Sequence, residues 1–411
     1  MHRIILSRAI NSLLSGDLDI ALSEFESLFD SKTVGAEARH RHEETLAAIR
    51  KKVSFYTEEI TTDPGNAENY LLRAQQYFCL KEKENMIADM EMYIDIRNPL
   101  DETNPHDLLF REFLIGLWQS TPTNEGLPFN SSYDECIHCF SANGLTFYAG
   151  SDDRPGGKGD TDIYIYTRET MQDNWSEPVN LTTINSAYSD NNSSITADGL
   201  WLYFSSNRPG GQGEWDIWMS TRKTTEDDWG IPVNPGPPVN SAGGEFTSCI
   251  SADGRELYFG SNRSGGSGDL DLWVTRRASD SDAWEEPVNL GPVVNSPYSE
   301  SRPNISADNL TLFFVSKRPD GYGDRDIWAT TRTTPEDDWR IPVNLGPSIN
   351  SSALEQMVII SPDRSVLYFN SSRYGVYGNF DIWQVKITPS SEVFQGNGDA
   401  KSGQKPIKSN D

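Results

Sequence analysis

The stretch that decides the fold covers residues 250–274 and reads ISADGRELYFGSNRSGGSGDLDLWV. Its first apolar run is followed by an Asp-Gly pair at residues 253–254. Such a pair is typical of tight hairpin turns, because Asp and Gly tolerate positive φ angles. Residues 256–260 follow, apolar on both faces, and a glycine-rich loop separates them from a third run that begins at Asp271. Residues 284–290 make a fourth run. The unit therefore predicts a sheet of four short antiparallel strands.

This unit occurs five times. Its arginines are separated by steps of 54, 55, 55 and 55 residues: Arg154, Arg208, Arg263, Arg318 and Arg373. The aspartates that open the third strands recur at the same steps: Asp162, Asp216, Asp271, Asp326 and Asp381. Strands that are apolar on both faces must be covered on both sides, and sheets stacked radially around an axis achieve this. A repeat of this kind predicts a β-propeller.

The ends of the repeat array set the number of blades. The last unit has three strands, and an orphan fragment before the first unit aligns with the missing fourth strand. We therefore expect a five-bladed propeller over residues 117–388, closed by a strand near residues 117–127. Closure of this kind removes the exposed sheet edges that template aggregation. An open or six-bladed array is the alternative.

The repeat motif Leu257-Tyr258-Phe259-Gly260-Ser261-Asn262-Arg263, followed by Asp271-Leu272-Trp273, resembles the WD-like repeat of TolB-type proteins. The resemblance covers about residues 118–388. It implies a propeller that serves as a protein-interaction module of bacterial proteins, and it implies no particular activity because one fold hosts many functions.

The N-terminal residues 1–100 change to helical periodicity. Residues 16–25 and 70–90 resemble tetratricopeptide repeats, in which small and aromatic residues four apart allow two helices to pack. We expect a helical repeat segment there, a linker over residues 101–116, and a disordered tail over residues 389–411, which is polar and rich in Gly, Ser and Lys.

Composition narrows the classes of partner. The chain has 35 Lys plus Arg against 61 Asp plus Glu, and its formal charge of −26 argues against nucleic acid as a partner. No apolar run is long enough to span a bilayer, and residues 1–14 do not read as a signal peptide. We therefore expect a cytoplasmic protein that does not insert into membranes.

Strand order places two sets of charged residues on one rim of the ring. The acids begin the innermost strands: Glu135, Asp190, Glu245, Glu300 and Glu355. The five arginines end the neighbouring strands. One interpretation is a charged rim that binds a polar ligand or a basic protein segment, since Arg forks pair with carboxylates. The other, which the recurrence in every blade favours, is that each acid pairs with an arginine and holds the ring together.

We expect no metal or other cofactor, although two patterns allow a metal. Cys136, His138 and Cys139 could bind zinc, but strand residues three apart point to opposite faces, and no second Cys/His pair exists. The acids before the third strands could bind calcium, although capping of the loop by the second Asp explains them better. Tyr322 and Tyr377 occupy equivalent loop positions, where they could form an aromatic patch or pack between blades.

The repeat types favour a non-catalytic scaffold that binds a protein or polar ligand through the propeller rim and the helical repeats. We accordingly expect the chain not to be an enzyme. The alternative is a glycoside hydrolase or glycan-binding propeller that uses carboxylates near the central channel, since such chemistry needs two carboxyl groups.

Overall fold

The computed structural model describes residues 9, 12, 18–29, 36–101, 103–373 and 377–387. Its main body is a five-bladed β-propeller with a short helical segment on its N-terminal side, as the repeat predicts. The first blade contains β2 to β5: Glu135–Phe140, Thr146–Asp152, Thr161–Thr167 and Val179–Asn180. The second contains β6 to β8: Asp190–Ile195, Trp201–Ser206 and Asp216–Thr221.

The remaining blades repeat this plan. The third contains β9 to β12: Glu245–Ile250, Glu256–Ser261, Asp271–Arg276 and Val288–Asn289. The fourth contains β13 to β16: Glu300–Ile305, Thr311–Ser316, Asp326–Thr331 and Val343–Asn344. The fifth contains β17 to β19: Glu355–Ile360, Val366–Ser371 and Asp381–Lys386. In the second blade the fourth strand is reduced to a single bridge between Met219 and Val233.

The hairpins form where the sequence places turn residues. Gly254, between β9 and β10, has a φ of +71°, a conformation that glycine adopts without steric cost. Beyond the turn, β10 is buried along its whole length, with Leu257, Tyr258 and Phe259 all at 0% exposure. Burial on both faces explains why this strand lacks the alternation of a one-sided sheet.

The ring closes with a strand from the opposite end of the chain. Strand β1, Thr123–Asn124, pairs antiparallel with β19, so that Thr123 faces Gln384 and Asn124 faces Trp383. The last blade therefore has four strands, in the order β1-β19-β18-β17. Its outer edge is covered by a segment that precedes the first blade.

Within the described residues, five helices with defined bounds lie before the ring, and a sixth, one turn long, follows β12. Their bounds are Leu18–Phe29 (α1), Ala36–Thr62 (α2), Ala67–Cys79 (α3), Lys83–Arg97 (α4), Pro105–Trp118 (α5) and Gly291–Val294 (α6). Helix α5 occupies most of the segment that we expected to be a linker. Its start is encoded by Asn104, whose side chain accepts the backbone N–H of His106 at 2.8 Å, followed by a proline in the first turn.

The helices share a core with the fourth and fifth blades. Trp118, at the end of α5, is 2% exposed, and its indole Nε1 donates to the carbonyl oxygen of Leu345 at 2.9 Å. The hydroxyl of Tyr93 accepts the backbone N–H of Asn344 at 3.0 Å. One continuous apolar cluster joins α3, α4 and α5 to the two blades. The expected disordered tail lies outside the described residues.

Within the described part of the chain, none of the helices has both the length and the apolar character needed to cross a membrane.

Candidate functional site at the channel mouth

The structure brings each of the five acids together with the arginine of its own blade. In the third blade, Glu245 Oε1 accepts from Arg263 Nη2 at 2.8 Å, from Ser241 Oγ at 2.7 Å and from Ser261 Oγ at 2.9 Å. The other pairs are Arg154–Glu135, Arg208–Asp190, Arg318–Glu300 and Arg373–Glu355, with N···O distances of 2.9, 2.5, 3.3 and 3.1 Å.

These pairs have the geometry of structural clamps. All five acids are 0–1% exposed. The arginines also cover aromatic rings of their own blades; the guanidinium of Arg263 lies 4.7 Å from the ring centroid of Phe259. A buried carboxylate that lost its arginine would be left uncompensated at high cost. Ligand binding by these ten residues stays a prediction.

The aspartates that open the third strands close their glycine-rich loops. Asp271 Oδ2 accepts the backbone N–H of Ser267 at 2.7 Å, and its Oδ1 accepts that of Gly268 at 2.9 Å. This is the capping arrangement that short acidic side chains favour. Among the described residues, no three or more His, Cys, Asp or Glu side chains gather as a metal site would require. Calcium binding was the less favoured alternative to this capping role, and it stays untested.

The innermost strands contact one another in a ring and line the central channel. In each of them the residue after the acid is only half-buried, although the acid itself is buried. Because neighbouring residues of a strand point to opposite faces, these side chains lie on the other face of each innermost strand from the acids, close to the ring axis. They differ in every blade: Cys136, Asn191, Phe246, Ser301 and Gln356.

Aromatic rings stand at the same mouth. Trp215, just before β8, lies beside Phe246, with ring centroids 6.2 Å apart and planes at 38°. Tyr377 is 40% exposed on this rim. Tyr322 is instead covered by the helices, and its hydroxyl donates to the carbonyl oxygen of Leu71 at 2.8 Å. The two tyrosines that we considered together therefore form no joint patch.

Asp152, the last residue of β3, has an unusual environment. Its carboxylate accepts from the hydroxyl of Thr161 at 2.6 Å. Desolvation raises the pKa of Asp152, the hydrogen bond from Thr161 lowers it in part, and the charges of Asp134, Asp153 and Asp160 raise it again, so that the net shift is upward. The side chain still reaches solvent, and its charge acts on the thiol of Cys136 in the channel wall. Asp152 is thus a carboxyl group at the mouth that holds its proton more firmly than an ordinary aspartate.

Deeper in the channel lie His138 and Arg302. His138 is 2% exposed, with Nδ1 3.0 Å from Ser193 Oγ and Nε2 2.6 Å from Asn191 Oδ1. Burial lowers the pKa of His138 to about 3, so its ring is neutral. Arg302, on β13, reaches across from the fourth blade to the first, where its Nη1 lies 3.5 Å from Cys136 Sγ.

Sequence reasoning selected none of Asp152, Trp215 or Arg302 as a site residue. They stand where the five units differ, whereas alignment of the repeats emphasises what the units share. The residues that differ between the five repeat units could have indicated the site, since functional sites tend to depart from the pattern that the rest of the fold follows.

No protein-family model matches the chain, and no curated protein matches it. Solved structures do match. The catalytic domain of a GH62 α-L-arabinofuranosidase from Coprinopsis cinerea shares 13% identity, with 65% of this chain and 94% of that chain covered and a TM-score of 0.40. A thermostable family-43 glycoside hydrolase shares 12% identity, with 70% and 99% covered and a TM-score of 0.42. A putative TolB from Agrobacterium tumefaciens shares 17%, with 62% and 74% covered and a TM-score of 0.35.

These matches correct the functional expectation. The interpretation as a non-catalytic interaction scaffold, and with it the expectation that the chain is not an enzyme, is wrong on this comparison, because several of the matching structures are glycoside hydrolases. At such identities and TM-scores, however, these structures assign no activity, substrate or residue to this chain.

Proposed function

We propose that the chain is a carbohydrate-active propeller that binds a glycan at the channel mouth and cleaves a glycosidic bond there. The observation that carries the proposal is the placement of Asp152, a carboxyl group with a raised pKa, at a mouth lined by aromatic and amide side chains.

Binding requires flat apolar faces and polar groups together. The rings of Trp215 and Phe246 offer faces on which a sugar ring can stack. The amides of Asn191 and Gln356 stand half-buried in the same wall, where they can exchange hydrogen bonds with sugar hydroxyls. A concave site with a few convergent polar groups is what ligand recognition needs.

Hydrolysis of a glycosidic bond uses two carboxyl groups, one that donates a proton to the leaving oxygen and one that acts as base or nucleophile. We assign the acid to Asp152. Its neighbour Asp134 is suited to the second role, because its Oδ1 accepts the backbone N–H groups of Asn379 at 2.8 Å and of Phe380 at 3.3 Å. These two hydrogen bonds hold the Asp134 carboxylate in a fixed position beside the fifth blade. Two carboxyl groups in contrasting environments are the arrangement by which acid and base roles are divided.

The experiment is a measurement of glycan binding and of reducing-sugar release over a panel of neutral and acidic glycans. We expect Asp152→Asn to lower kcat by roughly 100-fold or more, since a positioned general acid contributes about that much. Trp215→Ala should weaken binding. Asp338→Asn, an exposed aspartate on an outer loop, is the matched control and should leave both unchanged. Absence of binding and turnover across the panel would reject the proposal.

Two finer resemblances belong to the proposal as well. The WD-like repeat is supported by the shared loop and strand pattern of the blades, and the tetratricopeptide-like repeat by the adjacent helices α3 and α4. In that pair Ala74 is 0% exposed and Met86 is 1% exposed, so both lie in the core.

A further inference from the structure

Arg302 differs from the five clamp arginines in the acceptors that its guanidinium group finds. Arg263 and its four equivalents donate to a carboxylate and to a serine hydroxyl of their own blade. Within the described residues, the one acceptor of the Arg302 guanidinium is the sulfur of Cys136 at 3.5 Å. A thiol sulfur is a weak acceptor, whereas a guanidinium has five N–H donors. Most of the hydrogen-bonding capacity of Arg302 is therefore available inside the channel.

The backbone at this position is also unusual. Arg302 has a φ of +56°, which is uncommon for a residue other than glycine, and it lies at an irregularity in the pairing of β13 with β14. Its backbone N–H donates to Thr247 Oγ1 at 3.0 Å, so that the residue sits beside the strand that carries Phe246. The equivalent residue of the second blade, Asn192, has a φ of +53°, so this conformation belongs to the repeat and places the Arg302 side chain rather than marking a site by itself.

A second cation stands nearby. Arg325, just before β15, is half-buried beside the start of the fifth blade, where its carbonyl oxygen accepts the backbone N–H of Glu355 at 3.0 Å. Desolvation lowers the pKa of Arg325, the charge of Arg302 lowers it further, and the charge of Asp324 raises it. Within the part of the chain that the structure describes, neither guanidinium forms an ion pair with a carboxylate. Two half-buried guanidinium groups at the inner strands of a protein of formal charge −26 are suited to bind an anion.

We propose that Arg302 and Arg325 bind the carboxylate of a uronosyl residue, so that the glycan recognised at the channel mouth is an acidic one. This inference rests on the proposed function, since it assumes that the mouth binds a glycan. The planar fork of a guanidinium matches the two oxygens of a carboxylate. A uronosyl residue carries that carboxylate on the sugar ring itself. Phe246, whose neighbour Thr247 accepts the backbone N–H of Arg302, offers with Trp215 a surface for a sugar ring.

The test is titration calorimetry of the full chain with four probes. They are an oligogalacturonate of about five residues, its fully methyl-esterified form, a neutral arabino-oligosaccharide and a dextran sulfate fragment. Esterification removes the charge and keeps the sugar. We expect the wild type to bind the free acid at least tenfold more tightly than the ester, which corresponds to about 1.4 kcal/mol. Arg302→Gln and, separately, Arg325→Gln should each abolish this preference.

The control is Arg255→Gln, an exposed arginine that follows the turn at the opposite rim and should keep the full preference. Circular dichroism would check that each variant is folded, and Arg325→Gln carries the test if Arg302→Gln is not. Equal binding of acid and ester, with neutral sugars still bound, would overturn the inference and leave the proposed function standing. Tighter binding of dextran sulfate would overturn the carboxylate assignment. Binding of none of the probes would overturn both.

Discussion

At the scale of single residues, His138 shows how burial sets charge inside the ring. The imidazole is enclosed by the first two blades and is bonded to Asn191 and Ser193. An unfolded histidine has a pKa of about 6.5, whereas burial lowers that of folded His138 to about 3. Below about pH 6.5 His138 is therefore protonated in the unfolded chain but not in the folded chain. The free energy of unfolding consequently decreases as the pH falls.

We predict that the free energy of unfolding falls by about 1 kcal/mol between pH 6.5 and 5.5 through this group alone. Urea titrations at the two pH values would measure it, and His138→Gln should remove that part of the difference. Carbon shifts of the imidazole should stay those of the neutral ring down to pH 5, with the exposed His40 as internal reference. A midpoint above pH 6 for His138 would contradict the prediction.

At the scale of elements, helix α5 is the joint between the helices and the ring. Trp118 fills the space between Leu345 and the helical segment. We predict that Trp118→Ala lowers the free energy of unfolding by about 3–5 kcal/mol, as expected for a fully buried large side chain. Phe55→Ala, at a position 54% exposed, should change it by less than about 0.5 kcal/mol in the same urea titration. Similar losses in the two variants would show that α5 carries no shared core.

The elements also show what a sequence can and cannot disclose. The five-bladed ring follows from the repeat because each unit carries its own turns and its own acid–arginine clamp. The length of the fourth strand did not follow: residues 284–290 read as one run, yet only Val288–Asn289 pair, because edge pairing depends on the neighbouring strand. Helix α5 was missed although Asn104 and Pro105 mark its start. The channel mouth could not be assembled from the sequence, because Asp152, Arg302 and Trp215 belong to three different blades.

At the scale of the whole molecule, the helices and the propeller share one apolar core. Because the helical segment and the propeller share this core, unfolding of one exposes the core of the other, and the two should unfold together. We therefore predict one cooperative transition in differential scanning calorimetry, with a calorimetric enthalpy equal to the van't Hoff enthalpy. Two resolved transitions would contradict this prediction, and Trp118→Ala is the variant in which they should begin to separate.

The closing pair of β1 and β19 has a consequence for synthesis on the ribosome. The side chains of Asn124 and Asp381 that meet there are separated by 257 positions in the chain. At about 5–20 residues per second, roughly 13–51 seconds pass between their appearance. Throughout that interval the nascent ring is a growing arc with an unpaired border at each end. Its unpaired edge strands can pair with those of a second incomplete chain. The risk of such pairing lasts until the final blade emerges and β19 pairs with β1.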